Sequence, residues 1–333
     1  MVTYTQRNQT GVYFIMKCGM IIHPEELSKK QIDKMVSAGV NVLGIHPRGG
    51  RHAHEHLEKM LSFMDDKGYR ELVDYARQQG LEVEYEIHAA SYLMPRGLFD
   101  THPEYFRMTL DGERTPEWNF CVSNADALEI FAKRAAKLAL SLYGSSHDFY
   151  FWMDDGRDTS CHCEKCRSLS PSDQQMIAVN AMLREIKKHY SDAKMPYLAY
   201  FEGIVPPIVT PDKDVFLEYA PFEKYTATGD NASELILLEL NMLAPLMEMF
   251  GRDTAKVLEY WYDNSLFSEW KKPPRRFTLD KAAMEKDIKE YRDLGFSRFA
   301  TFACYLGADY EELYGDVDFT AFGECFRDLA DGE

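Results

Sequence analysis

The segment Phe149-Tyr150-Phe151-Trp152-Met153-Asp154-Asp155-Gly156 is a nearly unbroken apolar run that ends in two carboxylates and a glycine. Two acids against an apolar wall should not titrate alike. Burial and mutual repulsion raise one pKa, keeping that group a proton donor near neutrality, while the other stays ionised. Cleavage of a glycosidic bond needs that division: a protonated acid for the leaving oxygen and a negative group facing the forming cation. Successive strand residues point to opposite faces, so both acids reach one ligand only if the strand ends between them and Gly156 turns the chain. The opposing reading is that Asp155-Gly156 is a turn and one acid merely caps a loop.

Immediately downstream lies Cys161-His162-Cys163-Glu164-Lys165-Cys166. The thiolates of Cys161, Cys163 and Cys166, with the imidazole beside them, could supply a structural zinc ion with most of a tetrahedral shell and so brace the loop that bears the acids. A fourth ligand is not identifiable from spacing. The same residues also read as reduced thiols packing a loop, or as a reversible disulfide. The acid pair itself requires no cofactor for catalysis.

These groups need a scaffold, and the chain alternates short β-rich runs with longer segments of helical period. Strands are expected at Val12–Lys17, Asn41–His46, Glu82–His88, Asp148–Asp154, Tyr197–Phe201, Val215–Tyr219, Lys256–Tyr262 and Arg298–Cys304. Amphipathic helices are clearest at Ser28–Ala38, Tyr69–Gln79, Ala125–Tyr143, Ser172–Tyr190, Ser233–Phe250 and Thr278–Leu294. Ser28 with Gln31 and Ser172 with Gln175 fit capping boxes, and Thr278 can cap the helix it precedes. Gly39-Val40, Gly80-Leu81 and Gly295-Phe296 each place a glycine and an apolar residue after a helix, the pattern of a left-handed stop. Eight such units without a Gly-rich phosphate loop predict an α/β fold: one (β/α)₈ TIM barrel as a single domain over residues 1–333, with long loops at 89–123 and 155–172.

Barrel sites gather at the C-terminal strand ends. Those ends supply His46, Glu86 and His88, the two acids, Tyr200 and Glu202, Glu218 and Tyr219, Trp261, Tyr262 and Asp263, and Tyr305. Acids, imidazoles and flat rings suit a polyhydroxylated ligand, which needs many hydrogen bonds and a surface for its apolar ring face. Any one of His46, Glu86, Glu218 or Tyr305 reads equally as an ordinary rim group, and Trp261 as core. His88 is stronger, because it opens a long loop through Pro95 and Trp118.

The composition weighs against polyanionic partners. With 45% hydrophobic and 28% charged residues the chain can bury a core, and its net charge of −16 disfavours nucleic acid and anionic membrane. Met1–Gly11 is polar and the apolar stretch 12–16 is short, so the expectation is a protein of the cytoplasm. Seven cysteines, three of them clustered, do not read as a secreted disulfide framework.

The stretch Phe99-Asp100-Thr101-His102-Pro103-Glu104-Tyr105-Phe106, with Gly112, Arg114 and Cys121-Val122-Ser123-Asn124, leads into the Asp-Asp-Gly strand and the cysteine cluster. It continues through Ser170-Pro171-Ser172-Asp173, Asn180 and Tyr197–Phe201 to Pro206-Pro207. Over roughly the middle half of the chain this ordered set resembles the family once called domain of unknown function 4838, from which glycoside hydrolase family 163 was drawn. The resemblance implies a barrel glycosidase, with endo-β-N-acetylglucosaminidase activity known for some members. The adjacent acids also resemble the pairs of hexosaminidase-like barrels that use the substrate's N-acetyl group as nucleophile. That likeness implies that Asp154 orients the acetamido group and Asp155 is the general acid.

Three further readings stay open on the residues. One is a glycosidase for uronic acids gripped by Arg48, Arg51 or Arg96. The others are a sugar-binding barrel without turnover and a metal-dependent isomerase using His46, His88 and nearby acids.

Overall fold

In the computed structural model, which describes residues 5–7 and 13–327, eight parallel strands alternate with helices. The strands are β1 (Lys17–Ile22), β2 (Val42–Ile45), β3 (Glu82–His88), β4 (Tyr150–Trp152), β5 (Met195–Ala199), β6 (Val215–Tyr219), β7 (Lys256–Glu259) and β8 (Arg298–Phe302). Their order in the sheet is β4-β3-β2-β1-β8-β7-β6-β5, the (β/α)₈ arrangement that the alternation predicts. The main helices are α1 (Lys29–Ala38), α2 (Ala53–Phe63), α3 (Lys67–Gln78), α4 (Ala125–Ser141), α5 (Pro171–Ile186), α6 (Ala232–Phe250), α7 (Lys281–Leu294) and α8 (Thr320–Arg327). Among the described residues no helix is long and apolar enough to cross a membrane.

Local chemistry explains most boundaries. Gly39, Gly80 and Gly295 sit at φ of 87°, 91° and 103°, and the following amides of Val40, Leu81 and Phe296 reach back to Met35, Ala76 and Tyr291. Each is the left-handed stop expected, with a six-to-one bond that satisfies a carbonyl at the helix end. Ser28 caps α1 by accepting from the Gln31 amide, which is half of the expected box, while the Gln31 side chain donates to the Leu306 carbonyl. Two other caps fall elsewhere. The box at α5 is Ser170 with Asp173 rather than Ser172 with Gln175, because Pro171 takes the first helical position. Asp280, not Thr278, caps α7 by accepting from the Ala283 amide.

The first barrel strand also differs from the sequence expectation. Residues 13–15 pair antiparallel with residues 5–7, and the barrel strand begins at Lys17. Val12 lies outside the described residues. The run Cys18-Gly19-Met20-Ile21-Ile22 is buried throughout, as a parallel strand covered on both faces must be.

By its contacts the chain forms two compact units. The first comprises residues 1–46, 67–84 and 252–333. Within it β1 pairs with β2 and β8, and β8 with β7, so that Phe299 stands level with Cys18 and Val257. The N-terminal strand ends are charged: buried Glu84 lies 3.4 Å from Lys256, 3.6 Å from Arg298 and 3.8 Å from Lys17. These pairs compensate charges that could not be buried singly.

The second unit comprises residues 47–66 and 85–251. Here β5 pairs with β6, β3 meets β4 from Glu86 opposite Tyr150, and an isolated parallel bridge joins Asp148 to Lys194. Inside this unit Trp152 donates through Nε1 to Oε2 of the buried Glu218 at 2.8 Å.

Candidate active site

Strand β4 ends at Trp152, so Asp154 and Asp155 lie beyond its last paired residue and need not alternate like strand side chains. Asp154 is turned inward, its side chain 1% exposed. One oxygen accepts from the Ser91 amide at 3.0 Å and the other from Nη2 of Arg96 at 3.2 Å. Its own amide donates to Oδ1 of Asn119 at 2.9 Å. Burial pushes this carboxyl above the ordinary aspartate value, against the opposing pull of Arg96 and the Ser91 amide.

Asp155 is half-buried, and its Oδ1 accepts from the Tyr200 hydroxyl at 2.9 Å. Two glycines near the pair stand where a side chain would not fit. A β-carbon on Gly49 would stand 2.8 Å from Cδ2 of His88 and 3.0 Å from Oδ2 of Asp155. One on Gly156 would stand 3.0 Å from the ring of Trp118 and 2.9 Å from Thr159. Trp118, Asp158 and Phe201 all hold positive φ, at 64°, 49° and 45°. Such backbone is sparsely populated by non-glycine residues and concentrates where a site dictates geometry.

Around the pair, His88 donates from Nδ1 to the Met153 carbonyl at 2.7 Å and packs edge-on to Trp152. Tyr200 packs against Phe201 and Phe222, and Arg157 lies over the Phe201 ring at 4.3 Å while pairing with Glu223 at 2.6 Å. A cavity bounded by His88, Asp154, Gly156, Gln175, Tyr200 and Glu202 opens beside Asp154. Other carboxylates of this unit are engaged. Glu202 accepts from the Asp158 amide at 2.7 Å, Glu218 holds the Trp152 indole, and Glu86 is fully buried. Buried Glu239 accepts from the Glu223 amide, and burial pushes its carboxyl up to about 7.

The structure thus gathers Asp154, Asp155, His88, Tyr200 and Glu202 within the second unit, with Glu218 buried in the strand layer behind. Arg48, half-buried, offers its carbonyl to Nδ1 of His56 at 3.0 Å. Of the other arginines considered for a substrate carboxylate, Arg96 is held by Asp154 and the Trp118 carbonyl, and Arg51 pairs with Glu117. Spacing gave no signal for Ser91, Arg96 or Asn119 as partners of Asp154, since each arrives from a loop far away in sequence.

His46, Trp261, Asp263 and Tyr305 belong to the first unit. The His46 ring stacks on His23 and meets Phe302 edge-on, and its carbonyl bonds the His23 ring at 2.9 Å. Trp261 is buried against Phe322 and donates to Asp287 at 3.0 Å. Asp263 caps a short helix, accepting from the amides of Ser265 and Leu266 and the Ser265 hydroxyl, and burial pushes it up to about 6. Tyr305, at φ of 63°, donates to the Trp270 carbonyl beneath the ammonium of Lys272.

Cys161, Cys163 and Cys166 converge, and Cys121 joins them, all four sulfurs lying within 4.8 Å of one another. His162 turns away to pair with Asp158 at 2.8 Å.

Comparison with known proteins bears on this architecture. Residues 46–264 match the family model described as a domain of unknown function, DUF4838. A cold-adapted β-galactosidase from Rahnella sp. R3 superposes with a TM-score of 0.55 at 12% identity, over 95% of this chain and 56% of that one. The β-galactosidase from the psychrophilic Marinomonas ef1 superposes with a TM-score of 0.56 at 12% identity, over 95% of this chain and 59% of that one. The chain therefore spans somewhat over half the length of these two proteins, and at such identity the likeness shows the fold. No curated protein matches the sequence.

Proposed function

We propose that this chain, which belongs to the DUF4838 family, hydrolyses glycosidic bonds at the Asp154–Asp155 pair, and that its substrate is a β-linked N-acetylhexosaminide. One observation carries the reading: the neighbouring acids have unlike surroundings. Asp154 is buried and held on both oxygens by Ser91 and Arg96, whereas Asp155 is half-open and touches Tyr200. Unlike environments are what separate the duties of two carboxyls.

The roles are those that the likeness to hexosaminidase-like pairs implies, not the ones that burial alone would give. Although burial raises the Asp154 carboxyl, its two oxygens are held by Ser91 and Arg96. That suits an orienting carboxylate and leaves the more open Asp155 to meet the leaving oxygen. In protonated form Asp155 gives its proton to the glycosidic oxygen as the bond to the anomeric carbon breaks, and Tyr200 holds it in place. As carboxylate it then takes a proton from the water that releases the sugar. Asp154 borders the cavity, and each of its oxygens keeps a second acceptor direction, so it can receive the N–H of a substrate acetamido group. The acetamido oxygen is the nucleophile, and Asp154 balances the positive charge that the amide acquires. The engagement of Glu202 by the Asp158 amide and of Glu218 by the Trp152 indole supports a nucleophile supplied by the substrate rather than by a second carboxylate. Trp118 and Phe201 are the flat surfaces beside the acids on which an apolar sugar face can rest.

Asp155→Asn should lower hydrolysis of a natural β-linked N-acetylglucosaminide by at least about 10²-fold. Near-wild-type turnover would remove Asp155 from the role of acid. Replacing the substrate's acetamido group by hydroxyl should abolish turnover as well. Equal rates on the two sugars would sink the substrate-supplied nucleophile while leaving glycoside hydrolysis standing.

A further inference from the structure

We propose that Cys121, Cys161, Cys163 and Cys166 form a closed tetrathiolate site for one zinc ion, a structural centre that ties the segment 105–124 to the loop 156–170 that follows the acid pair. The proposal is independent of the reaction assigned above.

The first support is metric. A tetrahedral zinc with metal–sulfur bonds of about 2.3 Å holds its sulfurs about 3.8 Å apart. Cys121 Sγ lies 3.6 Å from that of Cys163 and 3.7 Å from that of Cys166, and the four sulfurs span no more than 4.8 Å. A disulfide would need about 2.0 Å and would join only two of them. None of the four is bonded to another. Four soft ligands converging on one point leave room for an ion at their centre, and a sulfur-only tetrahedral set selects zinc or iron among common metals.

The second support is the surroundings. All four cysteines are buried, so the set is closed to water, as in structural rather than catalytic zinc sites. Zinc with four thiolates carries a net charge of −2, and the site holds donors placed to spread it. The Met108 amide is 3.3 Å from the Cys161 sulfur and the Arg114 guanidinium 3.7 Å from the same atom. The Ser123 hydroxyl, which accepts from the Cys166 thiol at 3.1 Å, can turn its own proton to that sulfur once it is a thiolate. Such hydrogen bonds to ligand atoms orient and stabilise metal-bound thiolates. Reduced thiols packing a loop need no cation beside them.

The third support is that the backbone already holds the ligands. The amides of Cys166 and Arg167 both donate to the Cys163 carbonyl, forming the tight turn that lets two cysteines three apart face one ion. Gln174 grips Cys161 from both sides, accepting from its amide and donating to its carbonyl. The Cys121 amide donates to the Tyr105 carbonyl. Two residues before Cys121, Asn119 accepts from the Asp154 amide and donates to Thr159, so the centre reaches the acid pair through one side chain. Binding is proton-linked and not redox: four thiols release four protons, zinc takes four sulfur bonds, and no electrons move.

The test uses the full chain, purified without a polyhistidine tag. Elemental analysis should find one zinc per chain, and zinc-edge X-ray absorption should report four sulfurs at about 2.3 Å. Cys121→Ser should lose most of the metal and melt earlier, whereas Cys325→Ser, which lies in α8 outside the cluster, should keep both metal and melting temperature. Should the serine variant fail to fold, Cys121→His keeps a ligand and should replace one sulfur by nitrogen in the absorption spectrum. Metal-free native protein whose four buried thiols react with a thiol reagent without unfolding would overturn the proposal. So would zinc seen only with oxygen and nitrogen neighbours, or iron in place of zinc.

Discussion

Replacing Arg96 by methionine removes, among the described residues, the cation that hydrogen-bonds Asp154 and leaves the carboxylate charge inside the protein. The cost can be bracketed from exposure. Breaking a fully buried pair costs about 3–5 kcal/mol and an exposed one about 0–1 kcal/mol. The Asp154 side chain is 1% exposed and that of Arg96 23%, which places the pair towards the lower end of the buried range. The lost bond from Arg96 to the Trp118 carbonyl adds about 1 kcal/mol. A total of about 4 kcal/mol follows for Arg96→Met at neutral pH, with a lower urea midpoint and an unchanged slope. Adding Asp154→Asn removes the stranded charge, and its amide oxygen can still accept from Ser91. The double variant should therefore recover about 2 kcal/mol of coupling.

The pH dependence has a definite sign. Burial raises the folded pKa of Asp154, so the folded state takes up protons as pH falls, and the loss of Arg96 raises that pKa further. The penalty of Arg96→Met should therefore be larger at pH 7 than near pH 4, where the carboxyl is closer to neutral. Urea melts of the wild type, both single variants and the double variant at each pH would measure all of this. Additive free energies together with a penalty unchanged by pH would refute the buried-pair reasoning.

Three other outcomes are expected. Tyr200→Phe deletes the 2.9 Å bond to Asp155 and should lower kcat/KM by up to about 10-fold, since a hydrogen bond between uncharged groups contributes about 0.5–1.5 kcal/mol, with a correspondingly small fall in the thermal midpoint; an unaltered rate would sever Tyr200 from the acid. Gly156→Ala forces a methyl against the Trp118 ring and Thr159, and should cost about 1–3 kcal/mol in denaturant melts and alter tryptophan fluorescence. Burial lifts Glu239 from 4.5 to about 7, so the folded state binds more protons across that window and stability falls as pH rises through it. Glu239→Gln should flatten this decline and stabilise the chain at pH 8 relative to pH 5, and melts in which the two proteins keep the same pH slope would exclude the assignment.

Several elements were legible because their signals are local. Glu82–His88 and Val215–Tyr219 carry apolar, β-prone residues bounded by turns, and both strands form over those spans. The three glycine stops were legible for the same reason, since a left-handed residue followed by an apolar one is written in two adjacent positions. Helix α2 was not found, because Ala53–Phe63 begins among His52, His54 and His56 and its buried face reduces to Ala53, Leu57 and Met60. The first strand was placed early because the apolar stretch through residue 16 resembles the run from Cys18 that is actually buried between neighbours. Of the expected site, the acid pair and the CxCxxC cluster stand in consecutive sequence and were visible. Trp261 and Asp263 occupied plausible strand ends, but the indole is committed to Asp287 and the carboxylate to a helix cap.

By itself the sequence determined the alternation of eight strands with helices, the stops between them, and the presence of two adjacent acids beside a thiol cluster. Those features are periodicities or neighbouring letters, and backbone sterics and side-chain spacing express them wherever the chain goes. Tertiary structure alone decided which acid is buried, because Ser91 and Arg96 reach Asp154 from a loop some sixty residues upstream. It likewise decided that Cys121 completes the sulfur set from forty positions before Cys161. Burial and coordination depend on which distant segments converge, and no local pattern encodes that convergence.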